Sequence, residues 1–432
     1  MSFNIGLSGL YAANKQLDVT GNNIANVATT GFKSSRAEFE DVYSATKLGS
    51  GSKTVGNGVR LSNVSQQFGQ GDVNNTGNVL DMGIQGQGFF VLSNDGSLSY
   101  TRAGTFKTDK EGYITNSDGT SRLQGYGVDA NGKIQNGILT DLRIDTSNLP
   151  PSATSLVSST INLNSTATAI TAAFNPTDTS TFTKQFTTPV YDTQGNQHSM
   201  DQYMVKTAGN TWNVYTLIDG RNLNGSLPTT TGATAPVPST MNFDSSGKLT
   251  TVTTPPATVN SDLVLTGWVP GTVTNGVWAA NGAASAPTIT ISMGNTTQFN
   301  ADTARSIPTQ NGYATGQITN LTIDGSGVLL ANFSNNQTKP IGQLALASFT
   351  NEQGLQPVGG TSWKETFSSG IPGYDAPTTG TLGSIVSNAL EESNVNLTNE
   401  LVELIKAQSN YQANAKTIST QSTIMQTIIQ MA

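Results

Sequence analysis

A heptad seam closes this chain. Leu397, Leu401, Leu404, Gln408, Tyr411, Ala415, Ile418, Ser422, Met425, Ile429 and Ala432 follow one another by alternate steps of four and three. That is the spacing at which positions a and d of a coiled coil face a partner helix. A helix of this length reaches roughly 54 Å at about 1.5 Å per residue. A weaker copy of the pattern opens the chain, at Leu7, Leu10, Asn14, Leu17, Gly21, Ile24 and Ala28. Both ends therefore read as amphipathic helices that pair with each other, with neighbouring copies, or with both. An amphipathic helix usually just faces its own core. Here the closing seam is long and terminal, and a Gly-rich stretch precedes it, which favours the coiled-coil reading.

What lies between the helices is of another kind. Charged residues make up 11% of the chain, and 45 of its 432 residues are glycine. Thr, Ser and Asn dominate the middle, a composition of short strands and turns. The formal charge of −7 argues against a nucleic-acid groove, which needs a basic stripe to displace counterions. The chain has no cysteine, so disulfides and thiolate metal sites are excluded. Met1–Leu10 lacks a basic n-region and an unbroken apolar run, and no segment approaches the ~18 apolar residues of a membrane span. The expectation is a protein without a membrane span, either cytoplasmic or exported with an uncleaved N-terminus.

The order of patterns along the chain is nested. Residues 1–30 read as helix, with Gly31 where a C-cap glycine would sit. Residues 31–74 read as a connector, most plainly at Gly49-Ser50-Gly51-Ser52. β character begins near Val79. Phe89-Phe90-Val91-Leu92 is a short apolar strand, and Asn94-Asp95-Gly96, Asp118-Gly119 and Asn131-Gly132 follow at hairpin intervals. From about 146 to 312 the chain holds no Glu and reads as a separate insert, with strands at Gln202–Lys206, Trp212–Ile218, Leu263–Gly267 and Thr288–Ser292. The first β pattern then resumes at Gln317–Ile323, Val328–Phe333 and Gln343–Phe349. Asn396 or Thr398 is placed to cap the last helix, with Glu400 and Glu403 near its positive end. The predicted fold is mainly β with α-helical termini. Its domains are an inner coiled-coil-like domain (1–30 with 395–432), a connector (31–74), an inner β-rich domain (75–145 with 313–394) and an inserted outer β-rich domain (146–312).

Catalytic readings find little support. A lone histidine, His198, cannot build a multi-His metal site and reads as a surface strand residue. Gly51-Ser52-Lys53-Thr54 lacks the glycine a phosphate loop needs before its lysine. Asp129-Ala130-Asn131-Gly132 and Asp324-Gly325-Ser326-Gly327 lack the ligand count of a calcium loop and read as hairpin turns. Glu391-Glu392 reads as a solvated acidic pair. Neither a catalytic residue, a cofactor site nor a metal site is expected.

Several segments together point to a family. Leu17-Asp18-Val19-Thr20-Gly21-Asn22-Asn23-Ile24-Ala25-Asn26-Val27-Ala28-Thr29-Thr30-Gly31-Phe32-Lys33 resembles the N-terminal signature of bacterial flagellar rod and hook proteins. Glu392–Ile405 and Tyr411-Gln412-Ala413-Asn414-Ala415-Lys416-Thr417-Ile418 resemble their C-terminal signature. Gly86-Gln87-Gly88-Phe89-Phe90-Val91 and Tyr100-Thr101-Arg102-Ala103-Gly104-Thr105-Phe106 look like the family's first β domain, and Asp109 with Gly112-Tyr113 fits the turn after it. The signature residues are Asn22, Asn23, Ala25, Asn26, Gly31, Phe32, Asn394, Tyr411 and Ala413. The large insert resembles the hook branch more than the shorter rod members, a distal rod protein being the nearer alternative and a secreted β-rich adhesin with a coiled-coil stalk the more remote.

The resemblance implies a non-enzymatic, self-assembling subunit of a curved hollow tube that transmits motor torque as a flexible joint and carries exported subunits. It implies an extracellular flagellar location and flagellar type III export without a cleaved signal. The implied partners are further copies of the chain, the rod, the hook cap, the hook–filament junction proteins and the export apparatus. The implied assembly residues are Leu7, Leu10, Leu17, Ile24, Leu397, Leu401, Leu404, Tyr411, Ile418, Met425 and Ile429, with hinges at Gly31, Gly49 and Gly51.

Overall fold

The computed structural model describes residues 2–42, 56–129, 132–255, 258–260, 262–275 and 277–431. Among these, the two α-helices are terminal, α1 over Ser2–Ala25 and α2 over Leu397–Met431, and strands fill the chain between them. The residues form two compact units. The first joins 1–146 to 319–332 and 338–432; the second holds 147–318 with 333–337.

The first unit is stitched from both halves of the sequence. Met82–Gln85 pairs with Ser384–Ser387, Val73–Asn75 with Ala389–Glu391, and Ser97–Thr101 with Ser362–Lys364, all antiparallel. At its centre Phe89–Asn94 pairs with Ser97–Thr101, Arg122–Val128 and Leu346–Ser348. Alternation along a strand sends successive side chains to opposite faces, and here both faces are covered. Phe90 and Leu92 enter one core with Met82, Ile84, Phe106 and Leu123. Phe89 and Val91 enter another with Tyr100, Leu355 and Trp363. A strand buried on both sides needs an unbroken apolar run, which is what Phe89-Phe90-Val91-Leu92 supplies.

The second unit has its own core. A six-stranded antiparallel sheet runs Lys184–Tyr191, Gln197–Ala208, Thr211–Ile218, Ser239–Phe243, Leu249–Thr254 and Thr258–Asn260. A four-stranded sheet orders Leu263–Thr266, Thr288–Ser292, Leu156–Ser158 and Thr309–Gln310. Val157, Met204, Trp212, Met241, Leu265 and Ile291 belong to one buried cluster that spans both sheets. Trp212 Nε1 donates to Gln298 Oε1 at 2.8 Å, so the buried indole keeps its hydrogen bond.

One turn recurs in both units and follows from sequence. In Asp-x-x-Gly-x, the aspartate Oδ1 accepts from the amides two and four residues on. The distances are 2.8 and 2.9 Å at Asp109, 2.9 and 2.9 Å at Asp192, 2.8 and 2.9 Å at Asp244, and 2.9 and 2.9 Å at Asp324. The glycine in each has positive φ, which only glycine adopts without strain. Asp324 is thus a turn residue. Asp129 also accepts from the Lys133 amide, but Ala130 and Asn131 lie outside the described residues.

Three expectations need correction. Helix α1 stops at Ala25 rather than near 30, because asparagine side chains there compete for the backbone. Asn26 Nδ2 donates to Asn22 O, and Asn23 exchanges two hydrogen bonds with the backbone of Ser35. Gly31 therefore is not a helix cap. Its φ is +68° and an added Cβ would lie 2.4 Å from Ala103 N, so it is a point of close backbone packing. The connector is partly sheet: Ser35–Asp41 pairs antiparallel with Val59–Gln66. Gly49 and Gly51, expected as hinges, lie outside the described residues.

Candidate assembly surface

The two terminal helices pack antiparallel. An added Cβ on Gly6 would touch Ile418, and one on Gly9 would overlap the Asn414 side chain at 2.5 Å. Further along, Gln16 Nε2 donates to Glu403 Oε2 at 3.3 Å and Asn23 Nδ2 to Glu400 Oε1 at 3.2 Å. Asn396 caps α2, its Oδ1 accepting from the Asn399 amide at 3.1 Å. This is the pairing of termini with each other that the heptad spacing allows.

The face used for that pairing differs from the expected seam. Leu404 and Ile418 are half-buried, as expected. The alternate positions, however, are Glu400, Ala407, Asn414 and Gln421 rather than Leu401, Gln408 and Ser422, which are exposed; Ala407 is fully buried, and Ala415 is half-buried beside Asn414. On α1 the most buried residues are Gly6, Ala13, Thr20 and Asn23, each one position before a residue of the expected seam (Leu7, Asn14, Gly21 and Ile24), while Leu7, Leu10, Leu17 and Ile24 are half-buried. The reason is distance. Small residues let two backbones approach closely, and the polar neighbours then reach one another. The signal was present as Gly6-Gly9-Ala13-Gln16-Thr20-Asn23, which also steps by three and four.

Many of the large apolar side chains of α2 are left outside. Leu397, Leu401, Val402 and Ile405 are exposed on the first turns of α2, and Ile424, Met425, Ile428, Ile429 and Met431 on its last. Tyr411 is at the edge of the seam, 38% exposed. Phe3 and Tyr11 are exposed on α1. Of the signature residues, Asn23 and Gly31 are buried, Asn26, Phe32 and Asn394 half-buried, and Asn22, Ala25 and Ala413 exposed.

Beneath the helices three chain segments are clasped by buried charge. Glu391 Oε1 accepts from Lys33 Nζ at 2.6 Å and from the Gly71 amide at 3.0 Å, and its Oε2 accepts from Arg102 Nη1 at 3.1 Å. Lys33 and Glu391 side chains are fully buried. Lys33 also donates to Gly69 O at 2.8 Å, and Arg102 Nη2 to Gly86 O at 2.8 Å. Burial pulls the Lys33 ammonium below its ordinary pKa, against the pull of Glu391. Burial likewise raises the nearby Glu352 carboxyl. Asn394 adds to the clasp: its Oδ1 accepts from the Ser34 amide at 2.8 Å, and its Nδ2 donates to Gln67 O at 2.6 Å. Glu391 is thus no solvated residue. Its neighbours in space come from residues more than two hundred positions away, which no local pattern reveals.

His198 is the other correction. It lies in the strand Gln197–Ala208 but is buried, with Nδ1 at 2.6 Å from Asp219 and Nε2 at 3.4 Å from Asp192, edge-on to Trp268. Asn281 Nδ2 occupies the same Asp192 oxygen at 2.9 Å. No cluster of three or more His, Cys, Asp or Glu suited to a metal ion occurs among the described residues. No described helix is long and apolar enough to cross a membrane.

The chain matches four family models in series. They are "Flagella basal body rod protein" over residues 3–33, "Flagellar hook protein FlgE/F/G D1 domain" over 83–173, "Flagellar basal body protein FlaE D2 domain" over 162–313 and "Flagellar basal body rod FlgEFG protein C-terminal" over 386–431. It is 37% identical over 440 residues to the flagellar hook protein FlgE of Escherichia coli strain K12, covering all of both chains. To that of Treponema pallidum it is 33% identical over 459 residues, covering 99% of this chain and 98% of the relative. A crystal structure of the Helicobacter pylori flagellar hook protein FlgE2 aligns with 74% of this chain and all of its own, at 15% identity and a TM-score of 0.49.

Proposed function

The chain belongs to the flagellar hook protein family, and from that premise we infer that the outward apolar stripe of α2 is the surface by which one subunit holds the next. Hook protein forms a homopolymer in the flagellum, so the chain is a structural subunit of the hook, an extracellular assembly, and not an enzyme. The observation that carries the inference is the division of labour on α2. Glu400, Ala407 and Asn414, with Leu404 and Ile418, lie on the side of α1, while Leu401, Ile405, Met425 and Ile429 face outward. Each such side chain gains roughly 1.5–3 kcal/mol on full burial, which a single subunit leaves unclaimed.

In this reading Leu7, Leu10, Leu17 and Ile24 with Leu397, Leu401, Leu404, Tyr411, Ile418, Met425 and Ile429 hold an inner tube of helices. The tube is hollow and curved, bends as a joint between rod and filament, and passes exported subunits. The rod, the hook cap, the junction proteins and the export apparatus are its further partners, and the chain leaves the cell with its N-terminus intact. Bending is placed in segments that can move without breaking buried bonds. Rotation at Gly31 would have to break the 2.8 Å hydrogen bond that its amide donates to Glu391 O.

Ile405→Asp tests the surface. Ile405 is exposed in the single subunit, so the variant monomer should keep its helix content by circular dichroism. In a lattice the carboxylate would be buried without a partner, at a cost of several kcal/mol, and negative-stain microscopy under salting-out conditions should find no tubes. Tubes of parental length from this variant would refute the assignment.

A further inference from the structure

We propose that the loop 365–372 of the first unit is a second, apolar contact between subunits, in which Phe367 and Ile371 are covered by another copy of this chain. The proposal rests on the homopolymer reading above but uses a different surface, well apart in sequence from α2.

The loop is held rigid from beneath. Thr366 Oγ1 donates to Gly354 O at 2.6 Å and accepts from the amides of Ser368 and Ser369 at 3.1 and 3.3 Å. Ser369 is fully buried; its Oγ accepts from the Thr366 amide at 2.9 Å and donates to Thr366 O at 2.8 Å. Asn351 Nδ2 donates to Ser368 O at 3.0 Å. Gly354 is packed so closely that a Cβ there would lie 2.4 Å from the Ser368 carbonyl carbon. The strands on either side are fixed too: Ser362–Lys364 pairs with Ser97–Thr101, and Gly373–Asp375 with Leu346–Ser348.

On this fixed base the two largest side chains point away from the protein. Phe367 is 104% exposed and Ile371 91%. A loose loop could fold such residues back onto its own surface; this one cannot without giving up the bonds of Thr366, Ser369 and Asn351. Any burial of these two side chains therefore comes from outside. The run Thr366–Tyr374 contains no charged residue, so covering it desolvates no ion. In a helical homopolymer the neighbour always on hand is a second copy. Open helical filaments are built from heterologous contacts, in which a patch on one subunit meets a different patch on the next. A small, rigidly held apolar projection has the form of one half of such a contact.

The test uses the absence of cysteine from the chain, which makes F367C a single-thiol protein. Maleimide reactivity is measured on the monomer and on hooks built from the variant in cells lacking their own hook protein. The same thiol is then carried to a benzophenone and photo-cross-linked. The expected result is a fall of about tenfold or more in reactivity on polymerisation, with a cross-linked product of twice the subunit mass. F367S supplies the second readout. Its critical concentration for polymerisation should rise about tenfold, with the Trp363 fluorescence of the folded first unit unchanged. Equal reactivity in monomer and polymer, a cross-link to a different protein, or an unchanged critical concentration for F367S overturns the proposal. If the parent chain itself forms no polymer, the assembly reading fails and this contact falls with it. Tubes with a freely reactive thiol refute the contact alone.

Discussion

Glu391 takes hydrogen bonds from Lys33, Arg102 and the Gly71 amide at once, so its removal strands two buried cations. Breaking a buried pair in this way typically costs about 3–5 kcal/mol, a large share of the roughly 5–15 kcal/mol that holds a domain together. Glu391→Gln should therefore lower the urea midpoint of the first unit sharply. Trp363 is the one tryptophan in that unit and reports it by fluorescence. Lys33→Met combined with Glu391→Gln should cost less than the sum of the single changes, because the second change removes a charge the first left unpaired. Additive losses would show that the three groups do not act as a cluster. His198 supports a second prediction. Burial opposes its charge, but the hydrogen bond and charge of Asp219, with Asp192 behind, outweigh it and raise its pKa above the ordinary 6.5. A raised pKa contributes stability that is fully present below the unfolded value and is lost as pH rises through the folded one. The second unit should thus be more resistant to urea at pH 6 than at pH 9, and His198→Gln should flatten that dependence. The chain has one histidine, so its ring protons give a single NMR titration, and a midpoint at or below 6.5 would contradict the assignment.

At the scale of elements, the heptad spacing announced both helices, and the structure has them. It did not announce which side of each meets the other. Spacing fixes the angle of a residue around its own axis and says nothing about how near the partner comes. The seam of Gly6, Gly9, Ala13 and Ala407 permits a short approach, so the polar pairs Gln16–Glu403 and Asn23–Glu400 close it. A leucine seam would hold the helices further apart. Turn chemistry was easier to read, because Asp-x-x-Gly carries its own hydrogen-bonding instructions within five residues, whereas the clasp at Glu391 and the pairing of His198 with Asp219 depend on folding. The helix seam can be tested directly. Gly9→Leu places its Cβ where the Asn414 side chain lies; Asn414 must swing aside, and the rest of the leucine then fills the space that the close approach leaves to glycine, which drives α1 and α2 apart. The expected outcome is loss of helical circular dichroism, as neither helix retains its partner, with the urea transition of the β-sheet core reported by Trp363 moved by less than about 1 kcal/mol. Full helix content in this variant would mean that the two helices do not need each other.

At the scale of the whole molecule, the insert behaves as a guest in a host. Its first and last segments run side by side: the Leu149 amide donates to Gly316 O at 2.8 Å, and the Ser152 amide to Tyr313 O at 3.0 Å. A chain that enters and leaves through one antiparallel ladder can be shortened there without stretching the host. The cores support the same cut. Phe89, Phe90, Leu92 and Trp363 lie in clusters drawn from the first unit, and Trp212, Met204 and Ile291 in one drawn from the second. Replacing residues 150–315 by an Asn-Gly turn, which suits a two-residue hairpin, should therefore leave the first unit folded, with its Trp363 fluorescence and its helix content intact. The shortened chain keeps α1, α2 and the loop around Phe367, so it keeps both proposed contacts and should still polymerise. What it lacks is the second unit, low in charge and rich in Thr, Ser and Asn, whose contacts with neighbouring copies would be wet and free to slide. Tubes of the shortened chain should accordingly be straight under conditions where the parent curves, as measured by electron microscopy. Curvature equal to the parent's would assign bending to the first unit alone, and failure to form any tube would show that the insert contributes to assembly itself.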